Sequence, residues 1–469
     1  MVFSSTIFLF WFLPLSLLFY YLVKAKYKNG ILLLFSLLFY AWGGFEMLAI
    51  VLTSILCNYF TGLLIERSEQ PKTAKLILTT GIIINLSFLM YYKYANFFVD
   101  NYNSIISRYG NNSIILDKII LPLGISFYTF HGISYIIDVY RKDATAQNNP
   151  FDLALYFSFF PQLIAGPIVR YKDVHLQLKE RHIDTELFAE GVKRFILGLG
   201  KKVLIANMVG RIPDIVFKLP ENELNAYWSW LAIIAATVQV YIDFSGYSDM
   251  ALGLAKMFGF QFKENFNYPF SGKSMKDFWT RWHISLSSWF RDYVYIPMGG
   301  NKKGVARTYF NISLVFLLTG FWHGASWSFV FFGLFHGSLV MIERIGLGRV
   351  LEKLPRFLTN LYVFSVVAFG IIFFSIDNLS HISSFYKSLF HFTTPNQYHT
   401  INLYLTSEWF IVLLIGLLIS FPSVEYVMSK IKNINLKKRI ETSFILGILL
   451  LSITELANTS YNPFIYFRF

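Results

Sequence analysis

The sequence predicts an all-α, polytopic integral membrane protein: about ten or eleven transmembrane helices, with further re-entrant or interfacial helices around a central funnel. Three observations predict it. Of 469 residues, 55% are hydrophobic and only 15% charged, with a mean hydropathy of 0.48, which lies well outside soluble-globular composition. Apolar stretches long enough to cross about 30 Å of hydrocarbon recur along the whole chain. Between residues 150 and 300, prolines, glycines and lysines interrupt the apolar pattern, and lipid tolerates such breaks only where protein or a water-filled cavity covers the freed backbone groups.

In chain order the apolar stretches lie near 2–23, 31–43, 45–65, 76–92, 119–139, 226–243, 308–343 (with room for two crossings), 357–375, 409–428 and 443–457. The first is apolar almost from Met1 and lacks a basic leader and a small-x-small cleavage site, so it reads as a retained transmembrane helix. Lys24, Lys26 and Lys28 follow it, the connection at Gly43 and Gly44 is neutral, and Arg67, Lys72 and Lys75 follow the third stretch. This alternation, continued by Arg141 and Lys142, places the N-terminus outside the cytoplasm and the basic loops inside.

The middle of the chain is less regular. Phe151–Val169 carries Pro161, Gly166 and Pro167, and Phe195–Met208 carries Gly198, Gly200, Lys201 and Lys202, so both read as interrupted, re-entrant or interfacial segments. The polar segments 93–118, 376–407 and 429–441 read as loops or surface helices. With no internal repeat and no linker, residues 1–469 form one membrane-embedded domain.

Composition also excludes function classes. Lys and Arg exceed Asp and Glu by 41 to 28, but the cations are spread through connecting segments, as topology signals and lipid contacts, with no stripe for nucleic acid. Cys57 stands alone, so no intrachain disulfide forms. There is no HExxH, no histidine pair one turn apart, no GxSxG and no GxxxxGK[ST]; a bound zinc, a serine hydrolase and an ATP-driven pump lack support.

Ionisable groups in lipid are costly and ask for a reason. His323 sits in LLTGFWHGASWSF, flanked by Gly320 and Gly324, with Thr319 and Trp327 one turn away on the same face. Glycines there let a backbone or a substrate approach the imidazole. The plainer alternative is a core histidine bonded across helices. His283 lies in DFWTRWHISLSSWFRDYVY among Trp279, Arg281, Trp282, Trp289, Arg291 and Asp292, a stretch that also reads as an amphipathic interface helix with aromatic anchors. Acylation of a hydroxyl needs a base near neutral pKa and donors for the oxyanion, and histidine meets the first need best.

Asp243–Asp249 (DFSGYSD) follows the apolar run, putting a carboxylate at a helix end with Ser245, Gly246 and, one turn on, Tyr247. It reads either as a self-capped polar break or as part of a cavity lining. His131 and His336 are expected to pack, His336 facing away from His323 because thirteen residues turn an ideal helix by about 220°. His175, His182, His381, His391 and His399 fall in polar segments and are expected to be solvent-exposed.

Five ordered motifs resemble the membrane-bound O-acyltransferase superfamily, in its bacterial alginate O-acetyltransferase branch: Pro122–Phe130 (PLGISFYTF), Phe160–Pro167 (FPQLIAGP), Asp243–Asp249, Trp282–Gly300 (WHISLSSWFRDYVYIPMGG) and Phe321–Trp327 (FWHGASW). Tyr461–Phe469 (YNPFIYFRF) is similar as well. The resemblance implies tilted helices around a funnel with a thin partition, and it matches the family's invariant histidine to His323 and its second histidine to His283. Asp243, Ser245, Tyr247, Arg281, Trp282, Trp322 and Trp327 are then expected to line the donor and acceptor tunnel.

The activity so implied is transfer of an acetyl group from a cytoplasmic thioester, acetyl-CoA, toward an extracytoplasmic polysaccharide, without a permanently bound cofactor. Its expected partner is a periplasmic or membrane-anchored SGNH-type acetyltransferase or esterase, and its expected place the bacterial inner membrane. Alginate, another exopolysaccharide and peptidoglycan all remain open as acceptors, and a sister branch transfers D-alanine to teichoic acid. A transporter or flippase would use similar broken helices, but the chain lacks duplicated halves.

Overall fold

The computed structural model describes residues 1–110, 113–394, 400–459 and 461; among these every regular element is a helix. His399 and all of the terminal motif but its first residue, Tyr461, lie outside the described residues. Among the described residues, seven helices are long and apolar enough to cross a membrane: Glu46–Arg67, Pro71–Tyr109, Ala226–Met257, Val305–His323, Trp327–Leu351, Arg356–Ser375 and Ile434–Asn458. An eighth crossing arises if Ser407–Ile419 and Ser423–Ser429, bent by 71°, form one span. Three further apolar stretches fold into shorter helices, Phe8–Leu22, Lys28–Ala41 and Ile125–Tyr140. The last two have 14 and 16 residues. At 1.5 Å per residue they span roughly 21 and 24 Å, less than the hydrocarbon thickness, which is why composition counted more spans than length supports.

The chain forms two compact units. The first comprises Met1–Val192 and Ala251–Lys263. At its centre Ile125–Tyr140 is buried on every side up to Val139, packed on Glu46–Arg67 and Pro71–Leu89. Glycine makes that approach possible: a Cβ at Gly62 would lie 2.3 Å from the Tyr135 hydroxyl oxygen. Nearby, Asn58 and Asn85 exchange amide hydrogen bonds of 3.0 and 2.9 Å, the kind of polar pair that fixes helices where water is absent. Pro150–Ser158 and Phe160–Leu163 break at Phe159, as the prolines predict, and residues 153–170 are buried throughout. Protein covers the interruption: Ser36 Oγ accepts from Phe160 N at 3.2 Å, and the Gln162 amide donates to the Tyr156 carbonyl.

The second unit comprises Lys193–Met250 and Glu264–Phe469. Two sequence expectations change here. Phe195–Met208 is not interrupted: Thr185–Gly200, Lys201–Ala206 and Asn207–Val216 run on as helix, with one widened turn at the lysines. Gly198 instead serves close packing, since a Cβ there would lie 2.5 Å from the Gly246 carbonyl oxygen. Asp243 does not end a helix either, because Ala226–Met257 continues through DFSGYSD for 32 residues. The break is avoided because its charges are matched: Lys202 holds Asp243 at 2.8 Å, and Arg194 and Lys201 hold Asp249 at 2.9 and 2.7 Å.

Candidate active site

His323 is the last residue of Val305–His323; Gly324, with extended φ and ψ, ends the helix, and Trp327 opens the next. The two helices form a tight hairpin. A Cβ at Gly320 would sit 2.2 Å from the Phe329 carbonyl oxygen, and one at Gly333 would sit 2.3 Å from the Phe316 carbonyl oxygen. The imidazole, 3% exposed, is enclosed by Trp322, Phe332 and Phe374, with ring centroids 5.0, 5.8 and 5.5 Å away.

His283 does not lie on a surface helix. It stands at the joint between Met275–Arg281 and Ile284–Phe290, in the left-handed region (φ +43°), fully buried. Such a backbone is costly for a residue with a Cβ, and the local hydrogen bonds hold it. Asn265 Oδ1 accepts from Ser285 N at 3.2 Å and from Ser285 Oγ at 2.8 Å, and lies 3.1 Å from His283 Nδ1. Asn265 Nδ2 in turn donates to Ser248 Oγ at 3.0 Å. With Oδ1 committed as acceptor, His283 Nδ1 carries the proton and Nε2 keeps a lone pair. That Nε2 is buried and makes no hydrogen bond among the described residues. Burial, and then the neighbouring His323, push the His283 imidazole well below its ordinary value, so it is neutral at pH 7.

Trp322 packs against both histidines, its ring 5.9 Å from His283 and 5.0 Å from His323. His323 lines a pocket of about 30 Å³ with Thr237, Val240, Phe278, Trp279, Trp282, Phe332, His336 and Phe374; His283 does not line it. A second cavity, of about 790 Å³, runs along one face of the same helix, at Ile312, Val315, Phe316 and Thr319, and stops one turn short of His323. Toward the start of that helix its wall carries Lys273, Lys276, Arg291 and Arg344. A histidine in a small apolar pocket beside a large, cation-lined cavity can accept a proton from a hydroxyl while an anionic carrier delivers the group it receives.

A family profile described as "MBOAT, membrane-bound O-acyltransferase family" matches residues 140–386, a span that contains both histidines. The chain belongs to the membrane-bound O-acyltransferase family. Over 84% of its length it is 45% identical to the probable alginate O-acetylase of Azotobacter vinelandii, covering 78% of that protein. Against the probable alginate O-acetylase of Pseudomonas putida it is 39% identical over the full length of both chains. The peptidoglycan O-acetyltransferase of Helicobacter pylori is 35% identical over 81% of this chain and 78% of its own.

The remaining candidates of this O-acyltransferase divide. Trp282 lines the His323 pocket and stacks on Phe278 at 5.5 Å. Trp322 joins the two histidines. Asp243 is buried in its ion pair with Lys202, one turn beyond Val240 of the pocket wall, while Ser245 Oγ donates to the Ile242 carbonyl and Tyr247 is buried; none of the three lines the pocket. Arg281 pairs with Asp277 at 2.8 Å and lines neither cavity. Trp327 is 49% exposed and, beyond the break at Gly324, does not share a helix face with His323; Thr319 does precede it by one turn. Among the expected surface histidines, His182 and His391 are exposed, His175 is half-buried, and His381 is half-buried at 2.9 Å from the Phe217 carbonyl.

Sequence reasoning missed three residues of this region: His336, Trp279 and Asn265. His336 was expected to face away from His323, yet both line the same pocket. One ideal helix through 324–326 would set the two apart, but the chain reverses there. Small residues at Gly320, Gly333 and Gly337 are the signal of a close hairpin that would have placed it.

Proposed function

We propose that this O-acyltransferase moves an acetyl group from cytoplasmic acetyl-CoA to a hydroxyl of an extracytoplasmic polysaccharide, with His323 as the general base. The observation that carries this reading is the pairing of the His323 pocket with the larger cavity along the same helix. Lys273, Lys276 and Arg344 make no ion pair among the described residues, so they can meet the phosphates of a coenzyme A thioester. Glu343, on the same wall, is occupied by capping Met275 N and Lys276 N.

The acceptor oxygen attacks the thioester carbonyl carbon while His323 takes the hydroxyl proton. The C–S bond then breaks, the leaving thiolate receives that proton, and ester and free coenzyme A result. His283, neutral with its Nε2 lone pair open, orients the reacting groups from behind Trp322. The relatives named for alginate are the more similar ones, which favours alginate or a related exopolysaccharide as acceptor; the relative named for peptidoglycan keeps that polymer as the second reading.

Location and topology follow the same reading: the bacterial inner membrane, N-terminus outside, with the shorter apolar helices completing ten or eleven crossings around a funnel in one catalytic domain. An SGNH-type partner finishes delivery to the polymer.

Sealed inside-out membrane vesicles test the donor. Acetyl-labelled acetyl-CoA added outside should label polymer within the vesicle in a manner that depends on this protein. Labelling only from an acyl carrier protein, with none from acetyl-CoA, would overturn the donor assignment.

A further inference from the structure

The linings of the two cavities share one side chain. Trp279, on the short helix Met275–Arg281, lines both the pocket at His323 and the large cavity. Its ring packs against Phe316 on the large-cavity side at 5.6 Å, and against Phe332 and His336 on the pocket side at 6.4 and 5.2 Å. The helix that carries it is fixed at its start by the Ser274 cap and by the Glu343 carboxylate, so the backbone is anchored. The indole itself is not pinned by polar contacts, since its N–H is buried and makes no hydrogen bond among the described residues. A buried indole N–H ordinarily finds a partner, so this ring is placed by packing alone.

The sizes on its two sides differ sharply. On the large side there is about 790 Å³, enough for a drug-sized ligand. Beyond Trp279 there is about 30 Å³, and since one water needs roughly 10–15 Å³ by the same measure, only about two water-sized groups fit. A two-carbon acyl group matches that space. Each further methylene would have to displace Trp279 or the rings of Phe332 and Phe374.

We propose that Trp279 is the specificity-determining residue for the acyl group, closing the passage to His323 so that two carbons are accepted and longer chains are excluded. This rests on the donor reading above. A hydrophobic wall discriminates by about 10- to 200-fold for a single methylene. Removing the indole should join the two cavities and relax the limit.

The test uses inside-out vesicles carrying the full-length protein, supplied with an equimolar mixture of acetyl-CoA and butyryl-CoA. Ester-linked acyl groups are released from the polymer by base, and the butyryl-to-acetyl ratio is measured by mass spectrometry, which cancels differences in protein amount. Trp279→Ala should raise the ratio at least tenfold, and Trp279→Phe should raise it less. Should Trp279→Ala fail to accumulate, Trp279→Leu and Trp279→Phe still give the graded series. An unchanged ratio in folded variants that retain acetyl transfer overturns the assignment of Trp279. If the unsubstituted protein transfers neither group from coenzyme A, the donor reading fails, and this inference fails with it.

Discussion

Asn265 Oδ1 lies 3.1 Å from His283 Nδ1 and fixes which ring nitrogen holds the proton. Because that oxygen also accepts from Ser285 N and Ser285 Oγ, the imidazole is held as the Nδ1–H tautomer, with Nε2 free to accept. Neither residue alone would give this result. The left-handed backbone at His283 brings the ring to the amide, and the amide sets its protonation.

Replacing that amide by a carboxylate should therefore move a pH profile. In Asn265→Asp the new negative charge favours the imidazolium and raises the His283 pKa from its depressed value. The acid limb of acetyl transfer should shift to higher pH by at least about one unit, with rates recovering at alkaline pH. A limb that stays in place would remove His283 from the reaction.

The same depressed pKa makes a stability prediction. Below pH of about 6.5 the unfolded chain takes up a proton on His283 that the folded chain does not, so the folded state loses stability as pH falls. Melting temperatures of the detergent-solubilised protein should drop from pH 7 to pH 5. In His283→Asn this part of the slope should vanish, and an identical slope would contradict a neutral, buried His283.

The buried pair Lys202–Asp243, 3% and 4% exposed, gives a third prediction. Removing one partner, as in Lys202→Met or Asp243→Asn, leaves an uncompensated buried group and should cost about 3–5 kcal/mol, or the ability to accumulate. Replacing both together, Lys202→Met with Asp243→Leu, should recover much of the stability. Equal losses in single and double variants would show that the charges serve something beyond each other.

At the hairpin, Gly320→Ala places a methyl 2.2 Å from the Phe329 carbonyl oxygen. Folded protein should fall severalfold, and activity with it, while Gly447→Ala, where nothing lies within 4 Å, should be neutral. Fluorescence-detected size-exclusion chromatography of the two variants reads the difference.

Much of this was legible in the sequence, and the misses share a physical cause. His323 stood out because an ionisable residue beside Gly320 and Gly324 is unusual in an apolar chain, Trp282 because it neighbours a second such histidine, His283, and the helical class followed from hydropathy. Packing between distant segments was not readable. Asp243 looked like a helix end because its partner Lys202 lies 41 residues earlier in sequence, and only the fold brings the two together. His336 was misplaced because three residues, 324–326, reverse the chain. Arg281 and Trp327 sit in the right motifs, but Asp277 takes the first and the new helix turns the second outward.

Whether His323 performs the transfer is read from ester-linked acetate on the exported polymer in cells carrying His323→Ala, with the amount of membrane-inserted protein measured in parallel. At unchanged protein abundance, acetate should fall by about 10²-fold or more, the contribution expected of a general base. Acetate near the level of the unsubstituted protein, at that same abundance, would contradict that role.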